Sequence, residues 1–355
     1  MGIGAQVMTK EESTYGTAVT VDLAHPFLSE EVEPEHKRVE GKGQRANQLV
    51  HRTAQSEPYL IGASGPLTFE ATTKDLGWWL KWGMGSLSTG SVSDSVYPHT
   101  CVLGTSLASF TFQSNREFYP SYTDQAFTYE GCKVAKLKLE CGKEGILTVT
   151  VDIVAENYTT GTALATASYT AGAELLSFIK GSLTIAATAT PVESWSIEID
   201  HNLDTERIKQ RTSATGGPLR QEPVRKGHAT VSWSASVDYD ALTNYSRFAG
   251  TTNAAIHAAL VFTCEGPTLA GVSAYPNLVV TLPAARVDQA KGTGSMGSEG
   301  GKLLELSGIA TDNGSAAPIT AVSPEPVSEA AASQRGETAA AGTALSETAV
   351  ARPLM

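Results

Sequence analysis

The chain has 355 residues, a formal net charge of −11, 18% charged residues and 41% hydrophobic residues. That length exceeds one comfortable core and points to two domains or one duplicated domain. The acidic balance argues against a general grip on nucleic acid through a basic surface, and the low-charge, Gly-, Ser-, Thr- and Ala-rich composition is that of a β-leaning folded chain.

The first ten residues (MGIGAQVMTK) lack a basic segment followed by an apolar one, so no secretory signal is expected. No apolar run nears the roughly 18–20 residues a membrane-spanning helix needs, so no membrane anchor is expected. A polar excursion at 36–52 (HKRVEGKGQRANQLVHR) carries Lys37, Arg38, Lys42, Arg45 and Arg52 against Glu40, a net of +4. Alternation then marks strands at 65–72 (GPLTFEAT), 107–113 (LASFTFQ), 134–140 (VAKLKLE) and 146–154 (ILTVTVDIV). Between the first two lies a helix signal, 75–84, which holds three of the five tryptophans. Leu76, Trp79 and Leu80 fall at helical spacing, so one face packs on a sheet, while Trp78 or Trp82 points elsewhere, into a subunit contact.

The residues 157–172 (NYTTGTALATASYTAG) read as a connection. Strand patterns resume at 194–200 (SWSIEID), 229–237 (ATVSWSASV), 278–282 (LVVTL) and 302–309 (KLLELSGI). A second basic excursion, 205–226, carries Arg207, Lys209, Arg211, Arg220, Arg225 and Lys226 against Glu206 and Glu222, again +4, so the rest of the chain holds −19. A second helix is expected at 238–249, continuing over 254–260, with Leu242, Tyr245 and Phe248 on its packing face. From 313 onward the chain is Ala-, Ser-, Thr-, Glu- and Pro-rich and reads as a disordered tail.

Set at an offset of 165, SEPYLIG (56–62) overlies QEPVRKG (221–227), GPLTFEAT overlies TVSWSASV, and Gly85 meets Gly250. Each half also has a strand, a polar excursion, a strand, a short aromatic helix and a late hairpin, with turns at 141–145 and 297–301. We therefore expect an N-terminal segment 1–17, a first copy 18–157, a linker 158–173, a second copy 174–312 and the tail 313–355. The fold class expected is mainly β: two tandem antiparallel sandwiches or barrels, each with a flanking helix and a basic arm. Basic arms at matching places on an acidic body point to docking between like subunits.

Signals for chemistry are weak. GTGSMG (292–297) matches a dinucleotide-binding pattern in letters, but a strand pattern follows it instead of a helix, so it reads as a hairpin tip. Asp200, Asn202 and Asp204 lack the glycine and distal glutamate of a calcium loop. Seven histidines form no metal-binding spacing, and no nucleophile elbow or phosphate loop occurs. No catalytic, cofactor or metal residue is assigned. Cys101, Cys132, Cys141 and Cys264 read as free thiols in a reducing compartment.

EESTYGTAV (11–19), the long polar arm and the strand–helix element GPLTFEATTKDLGWWLKWGMGS (65–86) resemble the tail tube (major tail) proteins of long-tailed bacteriophages. That resemblance, over about residues 10–312, implies a structural virion protein of the tail, made in the bacterial host cytoplasm. It implies rings whose inner sheets join into a β-lined channel, stacked into a tube for DNA passage during ejection. Its partners would be further copies of itself, a tape measure and a terminator protein. The usual ring presents six tube domains, so three duplicated chains, or alternatively six chains, would make one ring around an acidic lumen. The competing readings are a β-rich carbohydrate-binding module with the tryptophans as platform, and another virion component such as a decoration or tail-terminator protein.

Overall fold

Alternating apolar and polar residues make strands here because each strand buries one face and keeps the other polar. The computed structural model describes residues 4–47, 49–50, 52–91, 96–118, 121, 123–143, 145–208, 218–239, 242–249, 257–267, 277–292 and 303–326. The first half runs β1 (Val7–Glu11), β2 (Leu23–His25), β3 (Ser29–Glu30), β4 (Glu33–Glu40), β5 (Ser56–Glu70), α1 (Leu76–Met84), β6 (Gly85–Thr89), β7 (Val96–Leu103), β8 (Phe110–Asn115), β9 (Ala126–Gly142), β10 (Thr148–Ala155) and β11 (Asn157–Thr159). The second runs β12 (Gly181–Ile185), β13 (Thr188–Thr190), β14 (Val192–Asp200), β15 (Thr230–Asp238), α2 (Leu242–Ala249), β16 (His257–Glu265), β17 (Asn277–Gly292), β18 (Leu303–Ala310) and β19 (Thr320–Pro326).

Eight strands lie side by side in one antiparallel sheet, in the order β4–β5–β10–β9–β14–β15–β18–β17, with β3 continuing the β4 edge. A second layer packs on it: β2–β1–β8 over the first half and β13–β12–β16 over the second. The two long strands β9 and β17 belong to both layers. Their first halves pair with β8 and β16, their second halves with β10 and β18. In β9 the change of layer falls at Gly131, whose φ of 63° sits in the left-handed region that favours glycine. One apolar core runs through both halves, from Phe69 and Leu137 to Ile197, Trp233 and Leu306. The architecture is thus a mainly β antiparallel sandwich with two short helices, as the sequence patterns predict.

The halves repeat one pairing scheme. β1 pairs with β2 and β8 as β12 pairs with β13 and β16; β10 joins β5 to β9 as β18 joins β15 to β17. The match reaches single residues. Phe112 opposes Tyr129 where Phe262 opposes Val280, and Tyr158 of β11 opposes Tyr129 where Ala321 of β19 opposes Val280. Among the described residues the first half alone inserts a hairpin, β6–β7, whose β7 pairs with β19.

Several expectations need correcting. Burial places β5 on β15 at an offset of 166, with Glu70–Thr148 over Ser236–Glu305, where the letter match uses 165. One residue matters because it exchanges the faces of a strand: at 166 the buried Leu67 and Phe69 meet the buried Trp233 and Ala235. The same shift sets Leu76, Trp79 and Trp82 over Leu242, Tyr245 and Phe248, aromatic on aromatic, in place of Tyr245 and Phe248 over Leu80 and Gly83. Residues 257–260 are not helix but the start of β16, whose alternate residues enter the core. The connection begins with β11, and Ala165 and Ala167 pack on Met8. The segment from 313 is not unstructured throughout, because Thr320, Ala321 and Val322 pair with β17 and Ile319 is buried. Residues 327–355, the 297–301 turn and 293–297 of the glycine motif lie outside the described residues.

Candidate assembly surfaces

The long sheet turns its polar side chains to one face. Its rows are hydroxyl-rich, for example Glu70–Thr148–Glu140–Ser196–Ser234–Ser307–Gln289 across seven strands. From β5 to β17 this face holds Glu70, Glu140, Asp152, Glu198, Asp200, Asp238, Asp288 and Glu305 against Lys136, Lys138, Arg286 and Lys291, so over these seven strands eight acids against four bases leave a net of −4. A shallow depression crosses it beside Ser196, Ser232, Ser234 and Ser307. Such a face presents hydroxyls and negative charge to whatever lies over it.

The two halves meet where β9 pairs with β14, from Gly142–Ser194 to Lys136–Asp200. On the buried side Leu137 and Leu139 oppose Ile199 and Ile197. On the polar side Lys136 Nζ sits 2.9 Å from Asp200 and 3.8 Å from Glu198. Burial alone would push the Asp200 carboxyl up, but hydrogen bonds from Lys136 and the Asn202 amide outweigh it and hold it below its usual range. Among the described residues, no strand pairs with the far edge of β3–β4 or with the far edge of β17 over Gln289–Gly292.

The two basic excursions behave differently. The first is the β4–β5 hairpin, with Arg38, Lys42, Arg45 and Arg52 exposed and Leu49 and Val50 standing 100% and 78% in solvent. The second folds down over the first half. Arg220, 1% exposed, donates from Nη1 to the carbonyls of Ala63 and Ala155 (both 2.8 Å), from Nε to Thr205 O (2.7 Å) and from Nη2 to Glu35 (2.9 Å). Gly62 leaves the space for it, since a Cβ there would lie 2.8 Å from the guanidinium. Arg225 donates to Gly104 O and to His201 Nδ1; that nitrogen therefore accepts, and Nε2–H donates to Gly83 O at 2.6 Å. Burial lowers His201 to about 4. Lys37 meets Glu206 at 2.6 Å, which ties the two arms together at the surface, and Arg207 donates to Glu222 O within the second arm. Lys209 and Arg211 lie outside the described residues. The sequence singled out Arg220 and Arg225 as cations but gave no sign of their partners Glu35, Gly62 and His201, because backbone carbonyls supply most of the site.

The helix residues separate in the same way. Leu76, Trp79 and Leu80 are buried, and Gly83 lets α1 approach β9 so closely that a Cβ would meet Leu137 at 2.7 Å. Trp82 is buried too, stacked on Phe110 at 4.4 Å, so no more than Trp78 is half-buried of the three. Trp195 and Trp233 are 3% exposed. Stacking on a sugar needs open rings, and these are core rings. In α2, Tyr245 packs on the core, but Leu242 and Phe248 are 67% and 44% exposed and do not take the packing role expected of them. All four cysteines are buried and unpaired.

At the end of β10, burial and then the carboxylates of Glu130, Glu12 and Glu222 push Glu156 up to about 7. A carboxyl raised in the fold binds its proton more tightly than in the unfolded chain, so stability falls as pH rises from about 4.5 through 7. Glu156→Gln should therefore raise the urea midpoint at pH 8 and change it little at pH 5; equal shifts at both pH values would contradict this. The buried His25, lowered to about 3, works in the other window and weakens the fold as pH falls below 6.5.

Among the described residues no group of three or more His, Cys, Asp or Glu is placed to hold a metal ion, and no helix is long and apolar enough to cross a membrane. A family model described as phage tail tube protein matches residues 2–291. No curated protein matches the chain.

Proposed function

The chain belongs to the phage tail tube protein family, a structural component of the virion tail, and from that membership we propose that it is a duplicated tube domain that assembles in rings of three chains. The observation that carries this reading is the repeat inside the long sheet. Four strands, β3/β4–β5–β10–β9, are followed by four of the same pairing, β14–β15–β18–β17, and among the described residues no further strand continues the series at either end. Rotation about one axis continues such a series until it closes, which removes the edges that would otherwise invite aggregation.

Three chains of eight strands supply 24, and at a spacing of about 4.8 Å they enclose a bore of roughly 37 Å between backbones for strands along the axis, wider in proportion as the strands tilt. The polar, net-negative face then lines the bore, where like charge keeps passing DNA from adhering. Rings stack through the exposed first arm, whose Lys42, Arg45 and Arg52 meet the acidic body of the next ring. Tape measure and terminator proteins are the partners at the tube's interior and end. No residue is assigned to catalysis.

The arm provides the test. Within 41–52 every described residue is exposed, so replacing the segment by a short turn should leave the unfolding free energy in urea within about 0.5 kcal/mol of the full chain. Negative-stain images should then show no tubes. Tubes of ordinary length from the shortened chain would contradict the stacking role.

A further inference from the structure

Resting on that ring reading, we propose the register of the contact between chains: the far edge of β3–β4 pairs antiparallel with the far edge of β17 in the next copy, Ser29 opposite Lys291, Glu30 opposite Ala290 and Glu31 opposite Gln289. The template is the seam already present inside the chain, where Ser196 opposes Glu140, Ile197 opposes Leu139 and Glu198 opposes Lys138.

Two residue shifts carry the seam to the open edges. With β15 set 166 beyond β5, the offset at which the buried Leu67 and Phe69 meet Trp233 and Ala235 and the helix residues Leu76 and Trp79 meet Leu242 and Tyr245, the ladder Glu70–Thr148–Glu140 falls on Ser236–Glu305–Lys291. β9 therefore maps on β17 by 151, which also places Tyr129 on Val280. β14 maps on β3–β4 by 167, because Ser196–Ser234 matches Ser29–Thr68 once β15 is set 166 beyond β5. Applied together, the shifts turn Ser196–Glu140 into Ser29–Lys291.

The chemistry of the edges agrees with this pairing. Both Ser29 and Lys291 belong to the polar face, as Ser196 and Glu140 do. Glu31 falls diagonal to Lys291, within reach of an ion pair like that of Lys136 with Glu198. One edge carries Glu30, Glu31, Glu33 and Glu35, with Arg116 on Glu30 and Glu33 and Arg220 on Glu35, whereas the other offers Lys291 beside the Arg286–Asp288 pair. An edge rich in like charge repels its own kind and accepts the complementary one, which keeps free chains from pairing indiscriminately.

Cysteine cross-linking reads the register directly, and the four buried native thiols do not compete. A full chain carrying Ser29→Cys and Lys291→Cys, oxidised after assembly, should give covalent dimers and closed trimers on a denaturing gel. The pair Glu33→Cys with Lys291→Cys, four residues or about 13 Å out of register, should stay uncrosslinked. Amide exchange at 29–31 and 289–292 should slow on assembly, a readout that needs no substitution. Rings on the grid with no cross-link, or with the second pair favoured, would overturn this register and leave the ring reading standing. A chain that forms no ring under any assembly condition would overturn both.

Discussion

Arg220→Ala should cost about 3–5 kcal/mol of stability and free the second arm. The guanidinium is buried, and its loss leaves the carbonyls of Thr205, Ala63 and Ala155 and the Glu35 carboxylate without their shared donor. A carbonyl that loses its partner inside the protein bears most of its desolvation cost, which is why the effect exceeds that of an ordinary surface ion pair. Arg220→Lys keeps the charge but cannot fork to several acceptors, so it should fall between wild type and alanine. Urea unfolding gives the magnitude, and limited proteolysis within 218–227 reports release of the arm. A loss below about 1 kcal/mol with an arm still resistant would show that the other ties, Arg225 with His201 and Lys37 with Glu206, hold it unaided.

Trp79→Ala should cost a comparable 3–5 kcal/mol. The ring is fully buried and meets His25, Phe69, Trp82 and Phe110 at centroid distances of 5.0, 5.2, 5.2 and 5.9 Å. It joins α1 to both layers, β5 on one side and β2 and β8 on the other, so its removal opens a cavity where four elements meet. Its indole Nε1 finds no hydrogen-bond acceptor. Trp79→Phe deletes that unmet donor together with part of the ring, and should cost less than half as much. A phenylalanine variant as unstable as the alanine one would mean that shape, rather than the unmet N–H, sets the balance.

The strands were legible in the sequence wherever one face is buried. The alternation in LTFE, VAKLKLE and SWSIEID lies within β5, β9 and β14. Helix α1 was legible for the same reason, through Leu76, Trp79, Leu80 and the left-handed Gly85 that ends it at φ 89°. Less was legible where partners are distant. β19 is Pro- and Ala-bearing, and it is a strand because β7 and β17 flank it. The repeat was visible in the order of elements, yet its register was one residue off, because Glu57-Pro58 and Glu222-Pro223 lie in arms that depart differently from their sheets. Leu242 and Phe248 show the limit of pattern: they match Leu76 and Trp82 in place, but among the described residues the second half sets no packed layer against them.

Electron cryomicroscopy of tubes assembled from the full chain tests the central claim most directly, because it counts chains per ring. Three chains should surround the bore, each contributing the four-strand unit twice, with Ser196, Ser234 and Ser307 facing inward. Six chains per ring, or a bore lined by the opposite face of the long sheet, would contradict it.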